Sequence, residues 1–77
     1  MRESEFNNFM NFMKRDIKTA EGMGFIFLKL TDRQMKKLID FYDNLGMIDY
    51  GSTYIKFGTN LQLTVSRIYY DNKLKNY

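Results

Sequence analysis

Apolar and polar residues recur along the chain with two different periods, and the switches between them mark out the elements. Over residues 3–20, Phe6, Phe9, Met10, Met13, Ile17 and Ala20 follow helical spacing and fall on one stripe. Ser4 is placed to cap this helix. Glu3 and Glu5 near its start, and Lys14, Arg15 and Lys18 near its end, suit the helix dipole. Phe12 lies off the stripe. Gly22 and Gly24, either side of Met23, read as a helix stop and turn. They do not make a phosphate loop, because the Lys-Ser/Thr pair and the preceding strand are missing.

Residues 25–30 (FIFLKL) are apolar on both parities. Ile26, Leu28 and Leu30 form one face, and Phe25, Phe27 and Lys29 the other. A strand of this kind is covered on both sides. Residues 31–45 return to helical spacing with Met35, Leu38, Ile39, Tyr42 and Leu45. Thr31-x-x-Gln34 in front of them is a capping box, and Gly46 behind them is a C-cap. Residues 47–52 form a connection that begins with extended structure. Residues 53–57 and 61–65 alternate around Gly58-Thr59-Asn60, a hairpin signature. Ile55 and Phe57 then share a face with Leu61, Leu63 and Val65, leaving Tyr54, Lys56, Gln62, Thr64 and Ser66 on the other. The alternation slips beyond Ser66, as a bulge or strand end would produce. Residues 71–77 read as a frayed tail.

The pattern therefore predicts one α+β domain over residues 1–77, in the order α-β-α-β-β. Its small three-stranded sheet carries two helices packed on one face. At 77 residues, such a domain buries only about 60% of its unfolded surface. The 17% aromatic content adds buried area per residue. A partner or a second copy is a natural supplement to so small a core.

Composition narrows the chemistry. With no Cys and no His, disulfides, thiolate metal sites and imidazole catalysis are excluded. Glu3, Glu5, Asp16, Glu21, Asp32, Asp40, Asp43, Asp49 and Asp71 form no recognised acid–base or ligand spacing. No enzyme activity, metal, cofactor or small-molecule substrate is expected. No apolar run is long enough to span a membrane, and the first twenty residues do not read as a signal peptide, so the expected compartment is the cytoplasm. Phe, Tyr, Met, Ile, Asn and Lys make up more than half of the chain, Pro is absent and Ala20 is the single alanine. This bias towards AT-rich codons points to a phage or mobile element.

Two kinds of binding surface follow. The first is a partner-binding sheet face carrying Phe25, Phe27, Lys29, Tyr54 and Lys56, since exposed apolar patches mark protein contacts. The expected function is thus a non-enzymatic small binding protein, a possible homodimer, that occludes or modulates a larger host machine such as a nucleic-acid enzyme. The alternative is a DNA- or RNA-binding regulator. It would use a winged-helix-like arrangement or the sheet as a stacking platform, with Arg33, Lys36, Lys37, Arg67 and Lys73 as its cations. The net charge of +3 permits only weak binding of that kind.

Overall fold

The computed structural model describes residues 1–23, 29–51 and 53–64. Among the described residues three helices, α1 (Glu3–Arg15), α2 (Ile17–Gly22) and α3 (Asp32–Asn44), precede three strands, β1 (Ile48–Tyr50), β2 (Tyr54–Phe57) and β3 (Leu61–Thr64). The α+β class with a small three-stranded sheet is as the sequence predicts, and the sheet is antiparallel throughout.

The predicted helix over residues 3–20 is broken at Asp16, whose backbone leaves helical geometry (φ −152°, ψ 84°). Asp16 does two jobs there. Its N–H donates to the Phe12 carbonyl at 2.9 Å and closes α1. Its carboxylate accepts from the Thr19 hydroxyl at 2.7 Å and the Thr19 N–H at 3.1 Å, which caps α2. Those two bonds, the hydroxyl's first, hold the Asp16 carboxyl below its ordinary value. Ser4 lies inside α1 rather than capping it. The N-cap position is Arg2, which makes no side-chain cap and instead pairs with Glu5 at 3.3 Å.

Both ends of α3 are as the sequence predicts. The Thr31 hydroxyl accepts from the Gln34 N–H at 3.1 Å, and Gln34 Oε1 accepts from the Thr31 N–H at 3.0 Å. At the other end Gly46 takes φ +68°, with Gly46 N–H bonded to the Asp43 carbonyl and Met47 N–H to the Tyr42 carbonyl. These are the two bonds of a Schellman stop, which satisfies carbonyls the helix leaves open.

The sheet is a meander in the order β1-β2-β3. Phe57 pairs with Leu61 across the three-residue loop, whose Gly58 stands at φ +66°. Ile48 pairs with Phe57, and the Gly58 N–H extends that ladder by donating to the Met47 carbonyl at 2.7 Å. The strand expected at residues 25–30 lies outside the described residues apart from Lys29 and Leu30, and neither of these belongs to a strand. Among the described residues the third strand is β1, where the sequence suggested only that a connection begins extended. The bulge expected near Ser66 and the tail at 71–77 also lie outside the described residues.

All three helices cover one face of the sheet. Ile55, Phe57, Leu61 and Leu63 are buried with Phe6, Phe9 and Met13 of α1, Ala20 of α2, and Met35, Leu38, Ile39 and Tyr42 of α3. The rings of Tyr42 and Phe57 lie 5.0 Å apart. Burial of each large side chain contributes about 1.5–3 kcal/mol. α1 and α3 lie side by side and run in the same direction. Near their starts Gln34 Nε2 donates to Glu3 Oε2 at 3.1 Å and to the Met1 carbonyl at 2.8 Å, and further along the Tyr42 hydroxyl donates to Met13 Sδ at 3.3 Å. Among the described residues no helix is long and apolar enough to cross a membrane.

Candidate functional site

The five residues predicted to form a binding face are only partly brought together. Tyr54 and Lys56 share the outer face of the sheet, where both are half-buried. Their neighbours there are Asp49, directly across from Lys56, and exposed Gln62 and Thr64. The Tyr54 ring lies against Gly51, filling the space a side chain there would need. Lys29 is exposed, and its carbonyl accepts the Met1 amine at 2.6 Å. Phe25 and Phe27 lie outside the described residues, as do Arg67 and Lys73 of the nucleic-acid set. Arg33, Lys36 and Lys37 are exposed together on α3. Lys36 pairs with Asp40 at 3.3 Å, and Lys37 approaches Glu3 at 3.8 Å.

The more apolar surface lies elsewhere, between α1 and α3. Lys37, Phe41 and Leu45 follow one another at i, i+4 and i+8, which places them on one row of α3. The facing row is Asn7, Met10 and Lys14 of α1, continued by Ile17 of α2. Two hollows of about 550 and 290 Å³ lie between the rows and share Lys14 and Phe41, so they form one groove. Met10, Ile17 and Phe41 are half-buried, and Leu45 is 51% exposed. The Phe41 ring meets Tyr42 edge-on at 5.4 Å, which ties its position to the core. Arg15 lies over the Phe12 ring at 5.6 Å, a cation–π contact on the rim.

The sequence pattern counted Met10, Ile17 and Leu45 as core and did not single out Phe41. These residues stand at the outer margins of the helical stripes, and those margins line the groove. The repeat of Phe41 and Leu45 beside the Leu38–Tyr42 row carried that signal.

A second unpredicted feature is Glu21, an acid only 3% exposed. Its Oε2 receives a long bond of 3.5 Å from the Thr59 hydroxyl, while Oε1 has no hydrogen-bond partner among the described residues. Tyr42 is close by. Burial raises the Tyr42 phenol above its ordinary value, and the Glu21 carboxylate adds to the effect. The one phenolic proton thus has two acceptors in reach, with Met13 Sδ at 3.3 Å the geometric partner. This cluster sits within the packing, under the hairpin turn, rather than in the groove. Among the described residues no group of three or more acids could hold a metal ion. Comparison with protein-family models, with curated proteins and with solved structures gives no match.

Proposed function

We propose that this chain is a non-catalytic binding protein that works by protein contact, and that the α1–α3 groove is its docking surface. The observation that carries the reading is Met10 on one wall of the groove and Phe41 and Leu45 on the other, apolar side chains left partly or wholly accessible. Accessible apolar patches rimmed by polar residues are what protein partners cover. The outer sheet face is a weaker candidate because Asp49, Lys56, Gln62 and Thr64 make it polar. The modulator role and the phage or mobile-element origin inferred from composition belong to the same reading. The nucleic-acid alternative is not favoured, since Lys36 and Lys37 already face Asp40 and Glu3.

The test compares the parent with Phe41→Glu and Leu45→Glu as baits, in nuclease-treated lysate, with circular dichroism as the folding control. A protein retained by the parent and lost by both folded variants is the expected result. Identical retention by all three overturns the groove as the docking surface. Light scattering of the purified chain separates a foreign partner from a second copy.

A further inference from the structure

Resting on the groove reading, we infer that the occupant is an acidic amphipathic helix from a partner protein. Three properties of the groove select it. The first is its length. From Lys37 to Leu45 the α3 row rises about 12 Å, a little over two turns. A helix seats apolar anchors at i, i+3 or i+4, and i+7 over the same distance.

The second is what the walls offer. One wall is α3 and the other α1, continued past the break at Asp16 by α2. Their helical backbones bond within themselves apart from the ends, so the groove presents side chains and no strand edge to pair with. An occupant lying on Met10, Phe41 and Leu45 must satisfy its own backbone, as a helix does. The thioether of Met10 is flexible enough to adapt to the anchors.

The third is charge. Lys14, Arg15 and Lys37 line the groove against one acid, Asp40, and Lys36 holds that acid from outside at 3.3 Å. Lys37 is shared with Glu3 at 3.8 Å, so the positive excess is concentrated where Lys14 and Arg15 meet Ile17. Lys14 is exposed and has no acid partner among the described residues. Carboxylates flanking the occupant's anchors complement this end. A nucleic-acid strand would satisfy the cations but leave the apolar floor unused.

The experiment selects a displayed library of random peptides, about 14 residues long to cover two turns with flanks, on the purified chain. Binders are then measured on Phe41→Glu and on Lys14→Glu, with Leu45→Glu replacing Phe41→Glu if circular dichroism shows the latter unfolded. The expected binders place apolar residues at i, i+3 or i+4, and i+7, carry an excess of Asp and Glu, and lose binding on Phe41→Glu. They should weaken at least about threefold on Lys14→Glu, and recover when their acids are changed to Lys. Groove-dependent binders without acid excess, or indifferent to Lys14→Glu, overturn the acidic helix and leave the groove reading standing. The same holds if Phe41→Glu abolishes a dimer of this chain or the capture of a single-stranded oligonucleotide instead. If no binder depends on Phe41 or Leu45, both readings fall.

Discussion

The Glu21 carboxylate occupies the space where a side chain on Gly58 would stand. The end of α2 and the turn of the β2–β3 hairpin are therefore fitted to each other through the absence of a Cβ. Gly58→Ala would meet Glu21 Oε1 and, at 2.9 Å, Met47 Cε, on a backbone at φ +66°. The expected loss is about 1–3 kcal/mol. In a Glu21→Ala background the same change should cost less, though not nothing, because the positive φ remains. Urea melts of the four proteins give the coupling. Additivity within about 0.5 kcal/mol would mean that the two residues do not touch.

Tyr42 ties its hydroxyl to Met13 Sδ inside the core. Sulfur is a weak acceptor, so Tyr42→Phe should cost no more than about 1 kcal/mol at neutral pH. Alkali separates the two proteins. The phenol is held above its ordinary 10.0 by burial and then by Glu21. The unfolded chain therefore loses the proton first, and stability present below about pH 10 falls as the pH rises further. Melting temperature followed from pH 8 to 11.5 should drop more steeply for the parent than for Tyr42→Phe. Parallel curves would remove Tyr42 from the core.

How much of this was legible in the sequence differs from residue to residue. The α3 cap was plain, because Thr31 and Gln34 stand at a spacing with one common use. The break at Asp16 was hidden by periodicity, since Met13, Ile17 and Ala20 keep the stripe in phase across it. The pair Asp16 and Thr19 was the available clue. β1 is only three residues long, and IDY is too short to show alternation. Glu21 could not be seen at all, since an acid beside a glycine reads as solvated and its burial depends on a hairpin some forty residues away. The groove left one trace, the repeat of Phe41 and Leu45, but which margin of a stripe stays open depends on how α1 and α3 meet, and that is a long-range matter.

Gln34 is 1% exposed and serves three neighbours, capping Thr31 while donating to the Met1 carbonyl and to Glu3. Thr31→Ala removes one cap, about 1 kcal/mol. Gln34→Ala removes the reciprocal bond and strands partners at the start of α1, adding about 1–3 kcal/mol. Equal urea midpoints for the two variants would show that the link to α1 contributes nothing.

Leu38 and Leu45 both lie on the apolar stripe of α3, yet one is 1% and the other 51% exposed. Leu38→Ala should cost about 2–5 kcal/mol, much of the stability of so small a domain. Leu45→Ala should stay within about 0.5 kcal/mol. Thermal melts of the pair check it, and a similar loss for both would close the groove that Leu45 lines.

The parallel pairing of α1 with α3 has a consequence during synthesis. The meander joins residues about ten positions apart, such as Ile48 with Phe57 and Tyr54 with Thr64. Such local pairing forms quickly. The bonds to α3 from α1 and from Met1 just ahead of it instead span 29, 31 and 33 positions. At about 5–20 residues per second, α1 is made seconds before the strands that complete its cover. Over that interval Phe6, Phe9 and Met13 have at most α3 to pack on, and their cover is complete only once the hairpin has emerged.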